Sequence, residues 1–193
     1  ELTIGEPDVA TPKVLIEECY KSMNFGRTKY SNGRGEENLL NSLTRKYNSR
    51  AALEITKENI ICFPGAQTAL YATINALVAH GDLVLVGDPY YATYEGIIVS
   101  AGAKLRSVPI KAENNFILKA DDLASRITKN CKVLLLNNPH NPTGAVMTNR
   151  DFLNLEKICL ENNIWIVCDE VYEELIFRKS FSSPLNIRGL ARS

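Results

Sequence analysis

The chain has 193 residues, enough to bury one substantial core, and a single domain is the expectation at that length. Its 22 acidic and 22 basic side chains balance without a block of like charge, which argues against nucleic acid as a partner and against a charged interaction tail. The five scattered cysteines contain no Cys-x-x-Cys pair and neither histidine has a partner at metal-ligand spacing, so metal and dithiol chemistry are set aside; no apolar run reaches membrane-spanning length, and a reducing, cytoplasmic setting is expected.

In chain order, Thr11-Pro12 marks a helix start, and Val14, Leu15, Cys19 and Met23 follow at roughly helical spacing, predicting a helix that runs to Asn24. Tyr30 to Gly35 reads as a loop. Glu36 to Tyr47 is predicted as a second amphipathic helix, with Leu39, Leu40, Leu43 and Tyr47 on one side. Ile60 to Phe63 is predicted as a short strand stopped by Pro64-Gly65, and Ala66 to Ala79 as a helix, with His80 at its C-terminal dipole. Strands and helices then alternate. Strands are predicted at Leu83–Val86, Lys104–Val108, Val133–Leu136 and Ile164–Cys168. Helices are predicted at Tyr94–Ala101, Asp121–Thr128 and Asn149–Asn162, the last stopped by Asn162-Asn163. Such alternation implies parallel strands joined by helical crossovers and covered on both faces, an α/β fold built as a three-layer α/β/α sandwich on a mostly parallel sheet. Cys62, Cys131 and Cys168 fall in or beside the apolar runs, where a reduced thiol acts as a small hydrophobe. Ser182 to Ser193 lacks periodicity and reads as a loop leading toward a further strand.

Two tracts follow apolar strands directly. Asn137-Asn138-Pro139-His140-Asn141-Pro142-Thr143-Gly144 follows the third strand, and Asp169-Glu170-Val171-Tyr172 follows the fourth. Ligands in open α/β sheets bind just beyond the carboxyl ends of strands. An Asn, an Asp and a Tyr at that rim suit an aromatic nitrogen heterocycle with a phenolic oxygen, since the carboxylate can take the ring N–H and the others can donate to the oxygen. Pyridoxal phosphate is such a heterocycle, and it needs an acidic partner at its ring nitrogen. Further upstream, Gly65-Ala66-Gln67-Thr68 joins a predicted strand to a helix, where free N–H groups and the helix dipole favour an anion.

These tracts resemble the class I and II aminotransferases, the fold-type I pyridoxal-phosphate enzymes, and the resemblance runs along nearly the whole chain. Gly5-Glu6-Pro7-Asp8 is similar to the family's N-terminal substrate loop, Lys29-Tyr30 with Gly35 to its K-Y-x-x-x-x-G stretch, Pro64-Gly65-Ala66-Gln67 to its phosphate turn, and Asp88-Pro89-Tyr90-Tyr91 to its ring-stacking loop. The Asn-Pro-Thr-Gly and Asp-Glu-Val-Tyr tracts are the most specific of the matches. The resemblance implies the large cofactor domain of such an enzyme, with residues 1–35 as an N-terminal segment bearing the dimer and substrate loop and 36–193 as the cofactor-binding domain. It implies that Asp169 accepts the pyridinium N–H, that Asn141 and Tyr172 donate to the phenolic oxygen, and that Tyr91 stacks on the ring. Gly65, Ala66 and Gln67 would hold the phosphate, and Tyr30 would reach the phosphate of a partner subunit in a homodimer. Gly5 and Asn141 would meet the substrate.

Each role has a plainer competitor in the residues themselves. Gly65 could be an ordinary turn, Asp169 a helix cap, Asn141 a turn former, Tyr172 a half-buried core residue, Tyr91 one of an aromatic cluster with Tyr90 and Tyr94, and Tyr30 a surface residue. His140 is not assigned as a general base. The family's Schiff-base lysine sits in a Ser-x-x-Lys-type tract, and none occurs before Ser193; Lys179 is too near Tyr172 and in the wrong context, so no catalytic residue is assigned within the chain and the lysine is expected beyond it. The activity implied is transfer of an amino group between an amino acid and a 2-oxo acid. Two alternatives stay open: a C–S lyase or synthase on the same fold, and a non-catalytic cofactor-binding regulatory module.

Overall fold

The computed structural model describes residues 5–177 and 180–187. Among these residues, six α-helices and four strands are formed: α1 (Lys13–Asn24), α2 (Glu37–Asn48), α3 (Ala66–Leu77), β1 (Leu83–Asp88), α4 (Thr93–Ser100), β2 (Lys104–Pro109), α5 (Ala120–Ala124), β3 (Cys131–Asn137), α6 (Asn149–Glu161) and β4 (Trp165–Asp169). The strands make one parallel sheet in the order β2-β1-β3-β4. Apolar residues alternate between its faces. Leu85 and Leu134 pack with Leu123 of α5 and with Phe152, Leu155 and Cys159 of α6. Val84, Val86, Val133 and Leu135 pack on the other face with Leu70 and Ile74 of α3 and with Tyr94, Ile97 and Ile98 of α4. Because side chains of a strand point alternately up and down, continuous apolar runs such as Val133–Leu136 bury on both sides and need helices on both sides. The expected three-layer α/β/α arrangement is therefore the one found.

The strand order places the functional end of the sheet. From β1 the chain crosses to β2 on one side and then back to β3 on the other, so the crossovers part between the carboxyl ends of β1 and β3. That reversal leaves a crevice between strand ends. The segment after β1 carries Tyr91, the segment after β3 carries Asn141, and β4 ends on Asp169.

Several details depart from or sharpen the sequence expectations. Ile60–Phe63 is not a strand: the Cys62 N–H donates to Arg34 O at 2.7 Å, a lone pairing with a loop, and Ile61 is half exposed. Gly35 makes that approach possible, since its φ is +127° and a Cβ there would lie 2.9 Å from the Cys62 sulfur. Helix α5 stops at Ala124, well short of Thr128, because the Arg126 N–H turns back to Leu123 O to lead the chain into β3. Helix α3 stops at Leu77, so His80 lies past its last turn and packs against Gly102 instead of facing the dipole. Asn163 does end α6 as expected, with φ +52° and the Ile164 N–H returning to Cys159 O at 2.9 Å. The segment that reads as a loop from Ser182 includes a single 3-10 turn at Pro184–Asn186, while Lys179 and 188–193 lie outside the described residues.

Phe152 and Leu153 are neighbours on α6, one fully buried and the other 47% exposed. Phe152→Ala should destabilise the fold by about 3–5 kcal/mol, the range for deleting a buried aromatic ring. Leu153→Ala should stay within about 0.5 kcal/mol of the parent. Chemical denaturation of both variants checks the assignment of faces; equal losses would contradict it.

Candidate functional site

Asp169 closes β4 with both carboxylate oxygens engaged. Its Oδ2 accepts the Tyr94 hydroxyl at 2.8 Å, and its Oδ1 accepts the Val171 N–H at 3.1 Å. The second bond belongs to a turn over residues 171–174 rather than a helix, so the capping role read from the sequence survives in altered form. Tyr94 is 2% exposed, and burial, then the Asp169 charge, push its phenol far above the usual range. It therefore stays a protonated donor toward Asp169. The ring of Tyr91 meets that of Tyr94 edge-on, with centroids 5.6 Å apart and planes at 85°, and is 39% exposed. Tyr91 thus presents a partly open aromatic surface one contact away from Asp169.

The tract after β3 is tied to the same place by side-chain amides. Asn137 is opposite Asp169 in the β3–β4 register. Its Nδ2 donates to the Asp169 carbonyl at 3.0 Å, and its Oδ1 accepts the Asn141 N–H at 2.6 Å. Asn138, fully buried, accepts the Met147 N–H and donates to Ser182 O, both at 2.8 Å. The turn itself closes with Gly144 N–H on His140 O at 2.7 Å, and Gly144 has φ +70°. His140 Nδ1 lies 2.7 Å from Thr143 Oγ1, and burial lowers its pKa, so it serves the turn as a neutral ring. Asn141 Nδ2 then reaches the Tyr172 hydroxyl at 3.2 Å. The two groups expected to share one acceptor are brought together, with one amide hydrogen and the phenol hydrogen still available to a third oxygen.

The N-terminus of α3 supplies the third part. Gly65 precedes it with φ +96°, and no side chain caps the helix. The Gly65 N–H is used by Phe63 O at 2.9 Å, and the Thr68 hydroxyl donates to Pro64 O at 3.1 Å. Gln67 Oε1 accepts the Thr93 hydroxyl at 3.2 Å, linking this turn to α4 beside Tyr91. Ala66 and Asp169 line one cavity of about 770 Å³, while Asn141 and Tyr172 line a neighbouring one of about 940 Å³ with His140 and Thr143. Gly5 and Tyr30 are both exposed, Tyr30 completely, and neither lines these two cavities.

Sequence reasoning assigned no role to Tyr94 or Asn137. Tyr94 is 75 residues from Asp169 and Asn137 is 32, and no local pattern announces such pairings. The helix predicted over Tyr94–Ala101 gave no sign of which way the phenol faces. Among the described residues, no group of three or more His, Cys, Asp or Glu could hold a metal, and no helix is long and apolar enough to cross a membrane.

A charged network braces the turn that carries Tyr172. Glu173 pairs with Lys46 at 2.8 Å and with Arg50, drawing α2 against it. Arg50 also lies over the rings of Tyr47 and Phe181, at 5.2 and 5.6 Å. Glu170 has a buried Oε1 with no hydrogen-bond partner among the described residues.

Fold and site together define an α/β protein whose polar groups gather at the carboxyl ends of parallel strands beside an uncapped helix N-terminus. Residues 1–191 match the family model for aminotransferase class I and II, and the chain belongs to that family. It is 34% identical over 190 residues to the arginine–pyruvate transaminase of Pseudomonas aeruginosa, covering 98% of this chain and 48% of that protein. It is 36% identical over 176 residues to an aspartate aminotransferase of Bacillus subtilis, covering 91% and 45%. The aspartate aminotransferase of Thermus thermophilus, solved with maleate, superposes with a TM-score of 0.92 at 32% identity, over 97% of this chain and 49% of that one. The chain spans about half the length of the curated relatives it matches.

Burial, with Glu173 adding to it, raises the Glu170 carboxyl from the ordinary 4.5 to about 7, against the Ser183 hydroxyl and Arg50. The folded chain thus holds a proton that the unfolded chain releases. The contribution of Glu170 to stability is complete below about pH 4.5 and is lost as pH rises through about 7. Melting temperatures at pH 5 and pH 8 should differ less in Glu170→Gln than in the parent; an unchanged difference would contradict this.

Proposed function

We propose that the protein carrying this chain transfers an amino group between an amino acid and a 2-oxo acid, using pyridoxal 5'-phosphate. The observation that carries this is the carboxylate of Asp169 at a strand end, backed by a buried phenol, with the Asn141–Tyr172 pair tied to the same strand end through Asn137. The residues present suit the cofactor in kind: an anionic acceptor for a ring N–H, two donors for a phenolic oxygen, an aromatic face, and an uncapped helix start for a phosphate. When bound, pyridoxal phosphate supplies a protonated ring that takes up carbanion charge from the substrate.

Asp169 accepts the ring N–H and keeps a proton on that nitrogen. Tyr94 holds the carboxylate in place as a donor that does not ionise. Asn141 and Tyr172 hold the oxygen side, Tyr91 covers a face of the ring, and the N–H groups of Ala66 and Gln67, freed by the turn at Gly65, receive the phosphate. Gly5 and Asn141 meet the substrate. Tyr30 lies fully open on its own chain, which suits a group whose phosphate belongs to a second copy, and we propose a homodimer in the cytoplasm. We divide the chain into an N-terminal segment, 1–35, and a cofactor domain, 36–193. Helix α1 lies wholly in the former and contains no buried residue. The relatives named above carry different amino acids in their names, arginine and aspartate, and what they share is amino-group transfer.

In a full-length enzyme carrying this chain and a Schiff-base lysine, Asp169→Asn should lower kcat by about 100-fold or more, on the scale of losing one preorganised electrostatic group. The amide cannot hold the ring nitrogen protonated. Steady-state kinetics with spectroscopic measurement of cofactor loading test this, and near-normal turnover at full loading would remove Asp169 from the role.

A further inference from the structure

We propose that Asn137 is a positioning residue that couples the two sides of the ring site, so that the Asn141–Tyr172 pair and the Asp169 carboxylate are held in one fixed relation. This rests on the function proposed above. One side-chain amide makes both connections. Its oxygen takes the Asn141 N–H at 2.6 Å and its nitrogen gives a hydrogen to the Asp169 carbonyl at 3.0 Å. Asn137 is 6% exposed and is the last residue of β3, opposite the last residue of β4. The amide is therefore fixed at its base by the sheet and at its tip by two backbone groups. An amide is the shortest uncharged side chain that can accept and donate from separate atoms across this gap. Aspartate would accept but not donate, and serine is one atom too short to span both partners.

The consequence falls on the side chains next in line. Asn141 Nδ2 can serve a ring oxygen only if its backbone is held where Asn137 holds it, and Tyr172 takes its place from Asn141 at 3.2 Å. Asn138 offers an internal control. It is also a buried asparagine with two side-chain bonds, but these go to Met147 N–H and Ser182 O, away from both ring-binding groups. Loss of its side chain should weaken the fold without loosening the coupling.

The test is a pH titration of the absorbance of bound cofactor, with no substrate, in the full-length enzyme loaded with pyridoxal phosphate. Hydrogen bonds to the phenolic oxygen favour the deprotonated form of the chromophore, so losing their alignment raises the midpoint. Asn137→Ala should move it upward by about 0.5–1 unit, the shift equivalent to one ordinary hydrogen bond. Asn138→Ala should leave it within about 0.2 unit of the parent, whatever it does to melting temperature. Asn137→Ser is the second variant, keeping a polar group at the buried position, and should shift the midpoint in the same direction. Equal shifts in the Asn137 and Asn138 variants, or none in either, would overturn the proposal. If neither Asn137 variant accumulates as folded protein, Asn137 serves folding and the proposal also falls. A parent enzyme with no titrating cofactor absorbance would instead refute the proposed function.

Discussion

The parallel pairing of β3 with β4 fixes where Asn137 and Asp169, the hub of the polar groups at the site, leave the sheet. Asn137 and Asp169 are the last register partners of that pair, and the chain leaves the sheet immediately after each. Strand ends cannot drift, because β3 is buried at all but one of its positions and is gripped on both faces by helices. Asp169 is thereby delivered to a fixed point without any contribution from its own side chain. The carboxylate then finds Tyr94, which arrives from α4 across the β1–β3 crevice. A site assembled this way inherits the rigidity of the sheet, whereas one built on loops alone would not.

Charge at the site is local. The chain as a whole carries no net charge, so no global field draws a phosphate toward it. An anion is favoured at α3 by N–H groups and dipole alone, while in the proposed site the negative charge of Asp169 would meet the opposite requirement, a ring nitrogen that must remain cationic. Tyr94 and His140 stay neutral by burial and add hydrogen bonds without adding charge. The ionic cluster of Lys46, Arg50 and Glu173 lies behind the Tyr172 turn and joins α2 to it. Its charges brace that turn from behind, and in the proposed site the ring would be met by Asp169, Asn141 and Tyr172.

Much of this architecture could be read from the chain itself. Strands such as Leu83–Val86 and Val133–Leu136 were legible because each is a short apolar run next to a helix-period segment, and burial on both faces leaves no other use for them. Asn141, Asp169 and Tyr172 were legible as strand-end residues in specific tracts. Ile60–Phe63 misled because an apolar run becomes a strand only with a partner, and no strand of the described sheet pairs with it. Asn137 and Tyr94 could not be read because their roles depend on contacts across 32 and 75 residues. Asn137 looked like part of a turn tract, and its amide acquires meaning only once β3 and β4 lie side by side.

We propose that strand-end groups from β1, β3 and β4 and the start of α3 converge on one ring and one phosphate. The most direct measurement is a crystal structure of the enzyme carrying this chain with pyridoxal phosphate bound. The expected result is the ring nitrogen within hydrogen-bond distance of the Asp169 carboxylate, the phenolic oxygen between Asn141 and Tyr172, and the phosphate on the N–H groups of Ala66 and Gln67. A cofactor bound with its ring nitrogen facing no carboxylate, or with its phosphate away from the start of α3, would contradict it.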